Sequence, residues 1–380
     1  MARKVVIIGS AYPLRGGGIT TFNERLAKEY QDEGYDVVIY TFSLQYPNFL
    51  FPGTTQYSKE APPEGLDIRI TMNSINPISW VKTANKVIAE KPDLIIIRYW
   101  LPFMAPCLGS IARLIRMRYK TKIIAITDNI IPHERRIGDK ILSRYFTGSV
   151  DGFVAMSRSV LNDLDIFDKK KPRDYYPHPL YDNFGNAIPK EEALKKLDLD
   201  EKYSYMLFFG FIREYKGLDL LLHALASERL SKMDIKLMVA GEFYGNEEKY
   251  LKLIESLNIK DKIVLKTSFI PNTEVYLYFC ASTIVVQPYK DATQSGVTQI
   301  AYHFGKPMIT TNVGGLSEMV PDGKVGYVVE PDVNAIENAI YTFFKEGREN
   351  EFSLNVKTER ERFSWNGLIR TIDNLKIQPR

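Results

Sequence analysis

Two basic side chains follow an apolar run in the second half of the chain, where they are placed to hold a negative charge. The segment "MLFFGFIREYKGLDLLLHAL" carries Arg213 and Lys216 between a predicted strand and a leucine-rich helix. Charge-assisted hydrogen bonds from such side chains to a phosphate contribute about 1.5–3 kcal/mol each. The pattern predicts a phosphate-binding turn, and two solvated surface side chains are the alternative.

Glycine-containing turns precede three further predicted helices. Three consecutive glycines stand before "ITTFNERLAKEY", "ATQSGV" opens a helix within "VVQPYKDATQSGVTQIAYHFGKP", and two glycines precede a helix that carries Glu318. The N–H groups and dipole of a helix N-terminus attract anions, with the dipole adding about 0.3–1 kcal/mol. Four such turns predict a diphosphate-bearing ligand, although each one alone is also typical of a flexible turn. The backbone groups expected to bind it belong to Gly17, Gly18, Ser295, Gly296 and Val297.

Residue patterns for metals and common cofactors are missing from the sequence. Two Asp-x-Asp pairs, at residues 163–165 and 198–200, fall at a predicted helix end and in a charged linker, so we do not assign them to a metal. The four histidines lack metal-ligand spacing, and His133, which follows a predicted strand, is expected to contact substrate. Neither GxGxxG nor a P-loop motif occurs. We therefore expect no metal and no cofactor.

Short apolar runs alternate with amphipathic helical stretches, and these elements must position the turns. The runs are "VVIIGS", "DVVIYTF", "DLIIIR", "KIIAIT" and "GFVAMS", followed in the second half by "MLFFG", "KLMVAG", "KIVLKT", "TIVVQP" and "PMITT". Nearly continuous apolar runs are typical of strands covered on both faces in a parallel sheet. The predicted fold class is α/β, with two Rossmann-like doubly wound domains facing each other across a cleft where the ligand binds.

The chain length also favours two domains, since 380 residues exceed the usual domain length of roughly 100–200 residues. Residues 175–204 contain proline, glycine and many charges but little strand pattern. We place the boundary inside this segment, which predicts domains at residues 1–177 and 178–361.

Positive charge is concentrated in the first half of the chain. Residues 1–180 carry 25 Lys and Arg against 18 Asp and Glu, whereas the remainder carries 25 against 28. The basic segment "ARLIRMRYKTK" follows the apolar "YWLPFMAPCLGSI". Two interpretations stay open, a solvated helix end or peripheral contact of Arg113, Arg116 and Arg118 with an anionic membrane. Basic residues interleaved with aromatics are not found, so no nucleic-acid partner is expected.

The N-terminal segment, the lengths of the apolar runs and the cysteines indicate where in the cell the protein is located. The N-terminal "MARKVVIIGS" enters a predicted strand directly, and no run reaches the ~18 apolar residues that span a bilayer. Cys107 and Cys280 form no CxxC pair, which argues against a disulfide framework. We expect a cytoplasmic protein, either free or peripheral on the inner face of the cell membrane.

Six motifs carry a family resemblance that covers nearly the whole chain. In order they are "YPLRGGGITTFNERLAKEY", "AMSRSVLNDL", "GFIREYKGLDLLLHAL", "LMVAGE", "FIPNTEVYLYFCASTIVVQP" and "FGKPMITTNVGGLSEMVPDGKVGYVVEP". This series resembles the GT-B glycosyltransferases, specifically the large retaining group often labelled family 4. The tail "RFSWNGLIRTIDNLKIQ" is similar to the terminal helix of that fold, so residues 362–380 are expected to cross back to the N-terminal domain.

The resemblance assigns roles to individual positions. Gly17 and Gly18 match the family's donor-phosphate loop, and Lys216 matches its phosphate lysine. An arginine usually follows the strand glycine, but Phe211 stands there and Arg213 lies two residues on.

A second departure concerns the sugar and ribose contacts. Family members usually carry two glutamates eight residues apart, and Ala292 and Ile300 occupy those places here. Where the family often has a histidine after the fifth strand, this chain has Asp128, followed by Asn129. The resemblance thus implies catalytic roles for Lys216, Arg213 and Asp128 and acceptor contacts for Asn129 and His133. Candidates to replace the missing donor contacts are Asp291, Thr293, Gln294 and Gln299. Glu318, in the helix after the paired glycines, is a further predicted donor-binding residue.

By resemblance, the chain is predicted to be a retaining, metal-independent hexosyltransferase. Its donor would be a nucleotide-diphosphate sugar that the second domain binds. Its acceptor would be a glycan or a lipid-linked molecule, used to build a cell-surface polysaccharide or glycolipid, and the first domain would bind it. The main alternative is a non-catalytic sugar-nucleotide-binding subunit of the same shape, suggested by Ala292 and Ile300. An epimerase of the same architecture is a further alternative, and a nicotinamide dehydrogenase is disfavoured because its glycine fingerprint is absent.

Overall fold

The computed structural model describes residues 2–15, 17–47, 55–132, 137–182, 184–245, 247–292 and 295–377. Of the predicted site residues, His133 and Gln294 lie outside this described part, as does the candidate Thr293. The chain divides into two compact units. Unit 1 comprises Met1–Pro179 and Ser364–Arg380, and unit 2 comprises Leu180–Phe363.

Unit 1 is built on a parallel sheet with the strand order β3-β2-β1-β4-β5-β6-β7. Its described strands are β1 (Lys4–Ile8), β2 (Asp36–Leu44), β3 (Asp67–Asn73), β4 (Leu94–Tyr99), β5 (Lys122–Thr127), β6 (Gly152–Ala155) and β7 (Arg173–Tyr175). In the register, Ile8 pairs with Tyr40 of β2 on one side and Ile97 of β4 on the other. All six residues of β4 are buried, as expected for a central strand covered on both faces.

The helices of unit 1 cover both faces of this sheet and leave the turns after its strands at one edge. They are α1 (Gly18–Asp32), α2 (Pro77–Ala89), α3 (Ala105–Arg116), α4 (Asp139–Thr147), α5 (Arg158–Leu164) and, after unit 2, α15 (Trp365–Asn374). The helix α1 buries Phe22, Leu26 and Tyr30, which recur every four residues and so form one stripe.

Unit 2 repeats the architecture with the strand order β10-β9-β8-β11-β12-β13, also parallel. Its described strands are β8 (Ser204–Phe209), β9 (Ile235–Ala240), β10 (Ile263–Lys266), β11 (Ile284–Gln287), β12 (Met308–Thr311) and β13 (Gly326–Val329). Its helices are α6 (Lys190–Lys196), α7 (Leu218–Leu225), α8 (Glu228–Ser231), α9 (Glu247–Ser256), α10 (Val275–Ala281), α11 (Gly296–His303), α12 (Leu316–Met319), α13 (Val333–Lys345) and α14 (Glu349–Glu359).

The predicted α/β class with two doubly wound parallel sheets is confirmed. Three strands, β3, β7 and β13, had no counterpart among the predicted runs. Each lies at the edge of its sheet and is only partly buried, so its sequence lacks the continuous apolar run of a central strand. Within the described residues, no helix is long and apolar enough to cross a membrane.

Candidate functional site

Lys216 lies in the turn after β8 and is buried there. It ends a 3₁₀ turn, Glu214–Lys216, and is only 8% exposed. Its Nζ donates to the Phe209 carbonyl oxygen at 3.4 Å, and no carboxylate of the described residues forms an ion pair with it. Burial, reinforced by the positive charge of Arg213, lowers the pKa of Lys216 to about 7. A buried amine in this situation favours an anionic ligand, because the anion stabilises its charged form.

The Lys216 amine and the first turn of α11 meet beside Gly210. A Cβ added to Gly210 would lie 3.0 Å from Lys216 Nζ and 3.8 Å from Val297 Cγ2. Ser295, at the N-cap of α11, forms no side-chain hydrogen bond to the first-turn N–H groups. A lysine amine therefore stands next to a helix N-terminus, an arrangement that attracts phosphate.

Two other glycines allow the close packing of these turns. Gly217 has a φ of 68°, and a Cβ there would lie 1.9 Å from the Pro288 carbonyl oxygen, so the turn after β8 contacts the end of β11. A Cβ on Gly296 would lie 2.8 Å from the ring of the buried Tyr181. A side chain at the first helical position of α11 would force the Tyr181 ring to move, so packing favours glycine there.

Arg213 stacks on an aromatic ring near Lys216. Its guanidinium carbon lies 3.8 Å from the centroid of Tyr244, and that ring contacts Phe211 edge to face. The side chain is partly exposed. Phe211, which replaces the expected arginine, therefore supports the ring on which Arg213 rests, and the positive charge is supplied from two residues further along.

Tyr289 was not among the predicted site residues, yet it links Lys216 to α11. The Lys216 amine lies 5.6 Å from the centroid of the Tyr289 ring, and the Tyr289 hydroxyl lies 3.4 Å from Ser295 Oγ. The ring is buried, which raises the pKa of Tyr289. The only sequence feature that could have predicted a site role for Tyr289 is its position directly after an apolar strand, in "VVQPYKD". Aromatic residues of the core show the same pattern.

The remaining donor-side candidates differ in their burial. Gln299 is fully buried, and its Nε2 contacts Met319 Sδ at 3.4 Å, which places its amide within the core of unit 2. Glu318 lies on the short helix α12 and is partly exposed. Ala292 and Ile300, at the positions of the family's glutamates, are both buried.

A buried hydrogen bond holds α11 against the sheet behind its N-terminus. Thr298 Oγ1 donates to Gln287 Oε1 at 3.1 Å, and both residues are almost completely inaccessible to solvent. Thr311 on β12 donates to the Tyr289 carbonyl oxygen at 2.5 Å. The first bond fixes α11 against the end of β11, and the second joins the segment after β11 to β12.

In unit 1, the glycine turn leads directly into α1. Gly17 is the N-cap and Gly18 the first helical residue. The Gly17 N–H donates to Thr21 Oγ1 at 3.3 Å, and a Cβ on Gly17 would meet nothing within 4 Å. The turn therefore leaves open space beside the helix N-terminus.

Asp128 follows β5 and forms a buried bidentate ion pair with Arg98 at the end of β4. Arg98 and Asp128 are 1% and 5% exposed. The Phe22 ring covers the guanidinium, with 3.5 Å between the Arg98 carbon and the ring centroid. Arg98 was not predicted; the arginine within "DLIIIRY" was its only signal. Asn129, the next residue after Asp128, is partly exposed.

Phe22 also packs against the two places in unit 1 where the chain leaves for unit 2 and returns from it. Its ring contacts His178 edge to face at 4.9 Å and Trp365 at the same distance. Complete burial, together with the nearby charge of Arg98, lowers the pKa of His178 to about 3. The imidazole is therefore neutral, and His178 serves as an aromatic packing residue.

Glu24 on α1 is a further ionisable group near the turn after β1. Its carboxylate accepts a hydrogen bond from the Tyr12 N–H at 2.8 Å. Burial raises the pKa of Glu24 to about 7, despite the opposing effect of that hydrogen bond. The glycine-rich turn therefore has a carboxyl group beside it that titrates near neutral pH.

The three arginines predicted to contact a membrane form contacts within unit 1. Arg113 donates to the carbonyl oxygens of Gly109 and Tyr145, and Arg116 donates to the Gly148 carbonyl oxygen at 3.1 Å. Arg118 donates to Asn85 Oδ1 at 2.5 Å. These contacts fasten α3 to its neighbours. In the described part of the chain, no cluster of three His, Cys, Asp or Glu side chains could hold a metal.

Comparison with protein families gives two matches, one in each unit. Residues 16–171 match "Glycosyltransferase Family 4", and residues 189–361 match "Glycosyl transferases group 1". A D-inositol 3-phosphate glycosyltransferase of Thermobifida fusca is 25% identical over 374 residues, covering 88% of this chain and 82% of the relative.

Solved structures share the fold over almost the whole chain. Sucrose-phosphate synthase from Thermosynechococcus elongatus superposes with a TM-score of 0.72 at 18% identity, covering 98% of each chain. HepE of Anabaena, solved in complex with UDP, superposes with a TM-score of 0.73 at 16% identity, covering 97% of this chain and 98% of HepE.

Proposed function

Because this chain belongs to the group 1 glycosyltransferases of the GT-B fold, we propose that it transfers a sugar from a nucleotide-diphosphate sugar to a cell-surface acceptor. The acceptor class is a glycan or a lipid-linked sugar, and transfer proceeds with retention of configuration and without a metal ion. The donor class is supported by the UDP in the HepE structure and by the charge arrangement of unit 2.

The observation that carries this proposal is the buried Lys216 amine beside the N-terminus of α11. Lys216 Nζ and Val297 Cγ2 both lie within 4 Å of the Cβ position of Gly210. A diphosphate bound there accepts hydrogen bonds from the amine and from the first-turn N–H groups. Arg213, one turn away on the same segment, supplies a second positive charge.

These groups act on the bond that breaks. As the bond between the anomeric carbon and the diphosphate oxygen lengthens, negative charge grows on that oxygen, and the Lys216 ammonium and α11 amides stabilise it. The leaving oxygen then accepts the proton of the attacking acceptor hydroxyl, which approaches from the same face, so configuration is retained. Because protein groups supply the positive charge, EDTA should leave the rate unchanged.

Unit 1 is the proposed acceptor side. The Arg98–Asp128 ion pair fixes the backbone after β5, and Asn129, which follows it and is partly exposed, is our proposed acceptor contact. For a lipid-linked acceptor, we also propose peripheral contact with an anionic membrane. Arg113, Arg116 and Arg118 contribute long-range positive charge to that contact, since hydrogen bonds within unit 1 already occupy their guanidinium groups.

Calorimetry with UDP, ADP and GDP, followed by a donor-hydrolysis assay, tests the proposal. We expect one nucleotide to bind the wild type and Lys216→Ala to weaken binding by about 10- to 150-fold, the loss of one charged hydrogen bond. Lys202→Ala is the matched control, because Lys202 is an exposed lysine of the same unit paired with Asp200. Unchanged affinity in Lys216→Ala would remove Lys216 from the site.

A measurement of enzymatic turnover distinguishes the proposed glycosyltransferase from the alternative, a non-catalytic sugar-nucleotide-binding subunit. Ala292 and Ile300 are buried and apolar, so they cannot make the ribose and sugar contacts of the family's glutamates. Binding of a nucleotide sugar without hydrolysis or transfer across a broad acceptor panel would favour a non-catalytic binding subunit. Dependence of the rate on added Mg²⁺ or Mn²⁺ would contradict the metal-independent mechanism.

A further inference from the structure

Exposed large apolar side chains are concentrated on three neighbouring helices of unit 1. Of thirteen such exposed residues in the described part of the chain, seven lie on α2, α3 and α4 or at their ends. The most exposed are Ile78 at 66%, Met117 at 80%, Ile137 at 109% and Ile141 at 75%. We call this surface the α2–α4 face. A cluster of this kind on a water-facing surface indicates an interaction site.

The spacing on α4 places apolar and basic side chains side by side. Ile141 and Tyr145 lie four residues apart on one face of α4, and the exposed Ile137 directly precedes its N-cap Gly138, while the helix buries Ser143, Phe146 and Thr147. Lys140 and Arg144, also four residues apart, are exposed directly beside that apolar row. The exposed face of α4 is therefore both apolar and positively charged.

The helix α2 repeats this combination on the other side of α3. Ile78 and Val81 are exposed, and Lys82 and Lys86 are exposed next to them. Across α2, α3 and α4 there are six basic residues and a single acidic one, Asp139. The face therefore carries a strong excess of positive charge, which complements an anionic partner.

Hydrogen bonds hold the three helices in one layer. On one side of α3, Ser110 Oγ lies 2.8 Å from the Tyr145 hydroxyl, and the Arg113 guanidinium stacks on the Tyr145 ring at 3.8 Å. On the other side, just beyond α3, Arg118 donates to Asn85 of α2. The exposed isoleucines are thus presented by a fixed surface.

We propose that the α2–α4 face docks on an anionic lipid bilayer, with the isoleucines entering the headgroup–acyl boundary and the exposed Lys82, Lys86, Lys140 and Arg144 contacting lipid phosphates. This inference rests on the membrane contact of the proposed function and deepens it, because it names the surface that docks and the class of lipid that it binds. Convex helices with apolar rows flanked by basic side chains suit a planar interface. A second copy of the chain is disfavoured as the occupant, because a symmetric contact would place six basic residues against six others.

Vesicle sedimentation tests the proposal. We expect the full chain to bind vesicles containing about one third phosphatidylglycerol, to bind pure phosphatidylcholine weakly, and to be released near 1 M salt, where the Debye length is about 3 Å. Lys82→Glu with Lys140→Glu should weaken binding by at least about 30-fold, because each lost positive charge contributes several-fold. Ile78→Ser with Ile141→Ser should weaken binding to the anionic vesicles at low salt, because the inserted apolar area is lost while the positive charge is kept.

Matched controls lie on unit 2. Leu354 on α14 is 66% exposed, like Ile78, and Lys252 on α9 is an exposed lysine. Leu354→Ser and Lys249→Glu with Lys252→Glu should leave vesicle binding unchanged. An environment-sensitive fluorophore on Ile141→Cys should shift to the blue on binding, and one on Leu354→Cys should not; Cys107 and Cys280 are buried and remain unlabelled.

Three outcomes would overturn the proposal. They are equal binding to neutral and anionic vesicles, equal losses in the α2–α4 and unit 2 variants, and a concentration-dependent dimer that Ile78→Ser with Ile141→Ser dissociates. Nucleotide affinity measured on the α2–α4 variants keeps the two proposals apart. It should be unchanged, since the α2–α4 face lies in unit 1 and Lys216 lies in unit 2.

Discussion

The proposed role of Lys216 predicts that nucleotide affinity falls as the pH rises above 7. In the free protein, burial and the charge of Arg213 lower the pKa of Lys216 to about 7. A diphosphate binds the ammonium form, so its binding raises this pKa and takes up a proton when the amine starts neutral. Affinity therefore rises toward its full value as the pH falls below 7 and is lost progressively as the pH rises above 7.

The size of the effect follows from the fraction of protonated amine. That fraction is about one half at pH 7 and about 3% at pH 8.5, so the affinity for UDP should fall by about 15-fold between them. A terminal phosphate ionises with a pKa of about 6, and its own charge therefore changes little over this range. Lys216→Met keeps the buried alkyl chain and removes the charge, so its weaker affinity should not vary with pH.

Calorimetry of UDP binding in buffers of different ionisation enthalpy measures both quantities. At pH 8.5 the wild type should take up nearly one proton per UDP bound, and Lys216→Met should take up none. An affinity that is flat from pH 7 to 8.5 in the wild type, with no proton uptake, would refute the placement of the amine against the diphosphate. Proton uptake that persists in Lys216→Met would assign the titration to another group.

Three further predictions concern unit 1 and the start of α11. Asp128→Leu leaves the buried Arg98 charge unpaired and should lower the free energy of unfolding by about 3–5 kcal/mol in urea denaturation, with Arg98→Met in the same chain restoring most of it; a small single-variant loss would contradict this. Gly296→Ala forces a Cβ against Tyr181 and should cost about 1–3 kcal/mol of stability and weaken UDP binding, whereas unchanged affinity would mean that α11 accommodates the methyl group. Glu24 holds its proton more tightly when folded, so its contribution to stability falls as the pH rises from about 4.5 to about 7, and Glu24→Gln should flatten that part of the stability profile; an unchanged profile would show that Glu24 is not the titrating group.

Local sequence patterns were sufficient for the fold class and for the family. Strands such as "VVIIGS" and "TIVVQP" are continuous apolar runs because parallel central strands are covered on both faces, and this signal is contained within a few residues. The Arg213–Lys216 turn is equally local, since strand, turn and helix follow one another directly. The prediction of a glycosyltransferase, which the family matches confirm, depended on the order of such local motifs.

Contacts between distant segments were decided only by the tertiary structure. Asp128 matched a family position, but its ion pair with Arg98 joins residues thirty apart in sequence and depends on β4 and β5 being neighbours. From the sequence, the arginines of "ARLIRMRYKTK" were predicted to be solvated or to contact a membrane. In the structure they form hydrogen bonds to α2 and to the segment from α4 to Gly148. Sequence spacing does not predict these partners. The sequence by itself determined which elements form and which turns carry charge, because those depend on neighbouring residues. Which charges stay available to a ligand or a membrane was decided by packing, because burial and pairing depend on residues far away along the chain.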